Sequence, residues 1–147
     1  MRPPRILVVD DTAEVRSLVR RVLEPSGYDI IEACDGDAAI EVCHKMEGQF
    51  DLLLTDVKMP GMSGMELADR ITAQFPGIAV LYISGQFEGD PLQSQITRGA
   101  RFVSKPFLPQ VLLNVVWEMA PPSKGPAQAE NSTSEPPLPR NSDKEIA

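Results

Sequence analysis

Short apolar runs alternate along this chain with stretches whose apolar residues recur every three or four positions. The runs Arg5–Val9, Tyr28–Ala33, Leu52–Thr55, Ile78–Ile83 and Arg101–Ser104 are strand-sized and read as buried strands. Between the first two, Val15, Leu18, Val19, Val22 and Leu23 share one helical face, and Pro25-Ser26-Gly27 ends the pattern. Ala38, Ala39, Val42, Cys43 and Met46 make a second stripe that stops at Gly48. Met65, Ala68, Ile71, Thr72 and Phe75 make a third, ended by Pro76-Gly77. Glu88–Arg98 offers only Leu92 and Ile96 as an apolar pair and is a poor helix. The last stripe runs through Leu108, Val111, Leu112, Val115, Val116 and Met119, with Leu113 and Trp117 opposite it.

Five repeats of strand then helix predict an α/β domain with a mostly parallel sheet covered by helices on both faces. Right-handed crossovers then leave the ligand crevice at the carboxyl ends of the strands. With 147 residues the chain is long enough for one domain with a substantial core. Composition changes at Ala120, so the expected division is a folded domain over residues 1–119 and a tail over 120–147. Pro121–Ala147 holds six of the 14 prolines and no aromatic residue, and is expected to be disordered. Asn131-Ser132-Thr133 matches a glycosylation sequon, which carries no weight in a chain read as lacking an export signal.

Charge and residue types remove several classes of function. A net charge of −7 opposes nucleic-acid binding, which needs clustered Lys and Arg. No apolar run approaches the length of a membrane span, and MRPPRILVVD lacks the apolar core of a signal peptide. The expected location is therefore the cytoplasm. Cys34 and Cys43 form neither a metal spacing nor a disulfide framework. His44 is the only histidine, which rules out a histidine-based metal cluster or a Ser-His triad; beside Lys45 on a helix it reads as solvated.

What remains is a set of polar residues at successive strand ends. Asp10-Asp11 follow ILVV, Asp56 follows LLLT, Ser84 follows LYI, and Lys105-Pro106 follow RFVS. A phosphate is commonly bound where a strand leads into a helix, but the loop Asp10-Asp11-Thr12 is acidic and lacks glycines. An acidic pair there suits a divalent cation, and Mg²⁺ takes one or two carboxylates together with waters and a phosphate oxygen. Asp11 and Asp56 are the leading ligands, with Asp10 close behind. Asp56 is also placed to act as a carboxylate nucleophile toward phosphorus, with Ser84 and Lys105 receiving the phosphoryl oxygens. Each residue alone has a plain structural reading as a cap, a turn former or a surface charge. Their joint occurrence in this order favours the functional one.

On these residues, and on the segment LLLTDVKMPGMSG around Asp56, the stretch from Arg5 to Met119 resembles a response-regulator receiver domain of two-component signalling. The resemblance implies a flavodoxin-like, doubly wound sheet of five parallel strands in the order 2-1-3-4-5; the general rule for such sheets is itself commonly illustrated with this family. It also implies Mg²⁺ (or Mn²⁺)-dependent phosphorylation of Asp56 by a sensor histidine kinase or histidine phosphotransfer protein. The backbone carbonyl of Lys58 would complete the metal site. Phe102 matches the aromatic switch position, coupled to Ser84, and Pro106 invites a cis peptide. Lys58 and Gln86 stand where phosphoryl lifetime is tuned.

Leu113 and Trp117 then become a candidate surface for an unidentified downstream protein or a phosphorylation-dependent homodimer. Without a recognisable output segment after Met119, a stand-alone receiver similar to the chemotaxis regulators is expected. A phosphohydrolase of the haloacid dehalogenase type also uses Asp and Mg²⁺, but wants two aspartates one residue apart, whereas Asp10 and Asp11 are adjacent. The acidic first loop opposes a flavin phosphate, and the complete site opposes a degenerate, non-phosphorylated interaction module.

Overall fold

The computed structural model describes residues 2–85 and 101–122. Its strands are β1 (Arg5–Val9), β2 (Asp29–Ala33), β3 (Leu52–Asp56), β4 (Ala79–Ser84) and β5 (Arg101–Ser104). They form one sheet in the order β2-β1-β3-β4-β5, every neighbouring pair parallel. The helices are α1 (Ala13–Leu23), α2 (Gly36–Lys45), α3 (Gly64–Gln74) and α4 (Pro109–Met119). The weak helix expected over Glu88–Arg98, Gln86, and the tail beyond residue 122 lie outside the described residues.

Alternation along the strands divides the core into two layers. Ile6, Val8, Leu52 and Leu54 pack with Val19 and Leu23 of α1 and with Leu112 and Val116 of α4. Leu7, Val9 and Leu53 point the other way, toward Ala39 and Cys43 of α2 and toward Leu67, Ala68 and Ile71 of α3. β3 is buried along its whole length, as a central strand covered on both faces must be. Each fully buried Leu or Ile in these layers contributes about 1.5–3 kcal/mol of transfer free energy.

Local chemistry sets the element boundaries. Asp35 caps α2 by accepting from the Ala38 amide at 2.8 Å, and Ser63 caps α3 by accepting from the Glu66 amide at 3.1 Å. A short 3₁₀ turn, Glu24–Ser26, follows α1, and Gly27 ends it at φ 100°, where a side chain would be strained. Tyr28, expected inside β2, precedes it and donates its hydroxyl hydrogen bond to the Ala120 carbonyl at 2.8 Å in the interior. Burial pushes its phenol pKa well above the ordinary value. The compact unit runs Pro4–Ala120, with Ala120 buried in it.

The last helix departs from its expected stripe. Leu108 and Val111 are exposed, whereas Leu113 is partly buried against the α1–α4 core layer. Leu108 is the extended residue before the helix, so it falls out of helical phase. Val111 and Leu113 flank the Leu112–Val116 line on opposite sides; Leu113 is partly buried against the core layer, whereas Val111 is exposed. Leu113 is thus corrected from surface to core margin, while Trp117 remains more than half exposed at 54%. His44 is exposed, and its ring meets Phe75 edge-on with centroids 6.0 Å apart. Cys34 and Cys43 are free thiols. No helix among the described residues is long and apolar enough to cross a membrane.

The tightest backbone approach lies at the start of α3. A Cβ on Gly64 would stand 1.9 Å from the Asp56 carbonyl oxygen and 3.2 Å from Thr55 Oγ1. Gly77 has open space in the same position. Gly64→Ala is expected to lower stability in urea by roughly 1–3 kcal/mol, while Gly77→Ala leaves the midpoint nearly unchanged. Equal midpoints for the two variants would disprove the close-approach account.

Candidate functional site

Parallel strands end together, so the residues that leave them meet along one edge of the sheet. β1 runs into Asp10 and Asp11, β3 ends on Asp56, β4 ends on Ser84, and β5 runs into Lys105. The register aligns these exits, with Val9 opposite Thr55, Asp56 opposite Ile83, and Ser84 opposite Ser104. One carboxylate oxygen from each of Asp10, Asp11 and Asp56 lies within 4.8 Å of the other two. Asp10, Asp56 and Ser84 are buried, and Asp11 is exposed.

Lys105 links the two buried acids. Its Nζ donates to Asp10 Oδ2 at 3.1 Å and to Asp56 Oδ2 at 3.3 Å. Its own amide donates to the Ser84 carbonyl at 2.7 Å, which fixes the root of the side chain beside β4. The Lys105–Pro106 peptide is cis. Asp10 is held further by the Thr12 amide, which donates to Oδ1 at 2.8 Å. Thr12 occupies the N-cap position of α1 without a side-chain capping bond, and its own amide is the one that Asp10 satisfies.

The electrostatics follow from this packing. Burial pushes the Asp56 carboxyl above the ordinary carboxylate range; the Lys105 charge pulls it down, and the Asp10 charge pushes it up again. Burial works against the Lys105 charge too, but the hydrogen bonds and charges of Asp10 and Asp56 outweigh it and leave the ammonium pKa raised. A raised Asp56 pKa means that this group's contribution to stability is full below its unfolded pKa. That contribution is lost as pH rises through the folded one.

Backbone bonds pin the loop that follows Asp56. The Val57 amide donates to the Ile83 carbonyl at 3.2 Å, the Gly64 amide to the Val57 carbonyl at 2.8 Å, and the Thr55 hydroxyl to the Asp56 carbonyl at 2.9 Å. Lys58 is exposed, two residues past Asp56. Phe102, on β5, is partly buried and packs against the α2–α3 core layer beside Tyr82, its register partner. Trp117 lies on α4, away from this edge of the sheet.

An all-oxygen set of three carboxylates fits a hard divalent cation. Octahedral ligands at the Mg²⁺ distance sit about 3–4 Å apart, so the 4.8 Å spread closes with small side-chain rotations. Exposed Asp11 has the most room to turn.

Sequence reasoning did not single out Thr55, Gly64, Arg16 or Glu32. Gly64 carried one signal, since Ser63-Gly64-Met65-Glu66 has the spacing of a helix-capping box. Arg16 donates to the Asp10 carbonyl through Nη1 and to Glu32 Oε1 through Nε. That arrangement depends on β2 lying beside β1, which no local pattern encodes.

Comparison with known proteins identifies the family. Residues 6–117 match the response regulator receiver domain family. The chain is 37% identical over 117 residues to the response regulator receiver protein CpdR of Brucella abortus, covering 78% of this chain and 95% of that one. It is 35% identical over 112 residues to the chemotaxis protein CheY of Pseudomonas aeruginosa, covering 74% and 89%. The crystal structure of a response regulator receiver domain protein from Clostridium thermocellum superposes with a TM-score of 0.72 at 25% identity, covering 80% of this chain and 94% of that one. The sheet order, the acidic edge and these likenesses converge: the chain belongs to the response regulator receiver domain family of two-component signalling.

Proposed function

We propose that this receiver accepts a phosphoryl group on Asp56 from a phosphohistidine of a sensor histidine kinase or histidine phosphotransfer protein. The observation that carries the reading is the contact of one ammonium, Lys105, with both buried carboxylates, Asp10 and Asp56. A cation bonded to the nucleophile before reaction is already beside the oxygens that the phosphoryl group will bring. An Asp56 oxygen forms the new bond to phosphorus, the phosphorus–nitrogen bond of the donor breaks, and its electron pair returns to the imidazole nitrogen.

Asp10, Asp11, Asp56 and the Lys58 carbonyl would hold Mg²⁺ or Mn²⁺. When bound, that ion supplies neutralisation of the carboxylates and of the transferring oxygens. Lys105 moves its hydrogen bonds from the carboxylates to the phosphoryl oxygens, and the Ser84 hydroxyl donates one more. The product carries more charge than the carboxylate it replaces, with three strong acceptors. Ser84 turns toward it, Phe102 follows into the space released, and the altered face passes the state to a downstream protein. Exposed Trp117 supplies an aromatic anchor for that partner or for a phosphorylation-dependent homodimer.

Incubated with Mg²⁺ and a small acyl-phosphate donor, the wild-type chain is expected to gain the mass of one phosphoryl group, and Asp56→Asn none. Equal labelling of the two proteins would remove Asp56 from the mechanism. A second measurement concerns pH. Protonation of Asp56 competes with the cation, and its carboxyl pKa is raised. Mn²⁺ affinity should therefore fall, by up to about tenfold per pH unit, as pH drops through that raised value. Affinity that stays level until the ordinary carboxylate range would contradict the burial account.

A further inference from the structure

Asp10 is restrained at each of its polar atoms, and one of those restraints comes from a residue with no part in the chemistry above. Its amide donates to the Ala33 carbonyl at 3.3 Å, Oδ1 accepts from the Thr12 amide at 2.8 Å, and Oδ2 accepts from Lys105 at 3.1 Å. The remaining atom, the carbonyl oxygen, accepts from Arg16 Nη1 at 2.5 Å. That oxygen belongs to the peptide plane joining Asp10 to Asp11. Because the plane is rigid, turning its carbonyl also turns the Asp11 amide and redirects the Asp11 side chain.

Arg16 is itself held in place. Its Nε donates to Glu32 Oε1 at 3.1 Å, and Arg20 Nε donates to Glu32 Oε2 at 2.6 Å. Arg20 also donates to the Ile30 carbonyl at 3.2 Å, tying the group to β2. The side chains of Arg16 and Glu32 are mostly shielded, at 17% and 28% exposure, so solvent screens this pair less than a surface one. An arginine fork with one prong on a carboxylate and another on a carbonyl has little rotational freedom left. A lysine would offer one point charge in place of the fork.

We propose that Arg16, braced by Glu32, is a positioning residue that sets the Asp10–Asp11 peptide so that Asp11 presents its carboxylate to the cation. This rests on reading Asp10, Asp11 and Asp56 as the cation ligands. The plainer role for such a pair is to join α1 to β2, and the two roles differ in what they move. A joining role affects unfolding; a positioning role affects the affinity of the folded protein for metal.

The test uses the full chain and Mn²⁺ alone, with free Mn²⁺ followed by electron paramagnetic resonance and unfolding midpoints measured in parallel. Arg16→Met keeps the stem and removes the fork, and should weaken Mn²⁺ binding by about 10–100-fold, as loss of a group that orients a ligand does. Arg16→Lys should fall between Arg16→Met and wild type. Glu32→Gln keeps an acceptor for Arg16 and should weaken binding less than Arg16→Met. Arg21→Met, at an exposed position of the same helix, should bind as wild type. If Arg16→Met and Glu32→Gln bind Mn²⁺ as wild type while Asp11→Asn binds poorly, the positioning role is overturned and the cation reading stands. If the wild type itself fails to bind Mn²⁺, the cation reading falls and the proposal with it.

Discussion

Two acids, Asp10 and Asp56, are buried side by side, and the domain depends on the single ammonium between them. At an effective dielectric of 20, two carboxylate charges about 5 Å apart repel by roughly 3 kcal/mol, while each contact with Lys105 at about 3 Å attracts by roughly 5 kcal/mol. The attraction wins before desolvation is counted. At Asp56 desolvation more than takes it back, which is why that carboxyl pKa is raised. The ionised crevice therefore carries a cost in the folded protein, and its excess negative charge is what a cation or a phosphoryl transfer can use.

The rest of the fold serves to keep these charges at fixed separations. Two core layers clamp the central strands β1 and β3, so their exits cannot slide relative to one another. Behind Asp56, the absence of a side chain on Gly64 lets α3 start against the strand end. Behind Asp10, a braced arginine on α1 fixes the peptide that leads to Asp11. Precision at the site thus comes from backbone held on rigid elements, and flexible side chains are few.

Much of this was legible in the sequence because it is periodic. Short apolar runs bounded by turn residues read as strands buried on both faces, and their alternation with helical stripes predicts a parallel sheet whose polar exits gather at one edge. Asp10, Asp11, Asp56, Ser84 and Lys105 were readable for that reason. Two kinds of feature were not. Helix phase near an end is poorly set by pattern: Leu108 precedes α4 and is exposed, while Leu113, assigned to the surface, lies against the core margin. Contacts between segments distant in sequence, such as Arg16 with Glu32, depend on which strands become neighbours. An arginine one turn into a helix looks like any solvated charge until β2 is placed.

The hydroxyl of Tyr28 reaches across the interior to a single acceptor, the carbonyl of Ala120. Composition marks Ala120 as the first residue of the tail, but its main-chain oxygen completes a buried hydrogen bond 92 positions away in sequence. A donor left buried without its acceptor costs about 1–3 kcal/mol. Ala120 therefore belongs with the compact unit that it closes. A fragment cut after Met119 would retain every residue of the acidic edge and lose the latch that joins the first half of the sheet to the last helix.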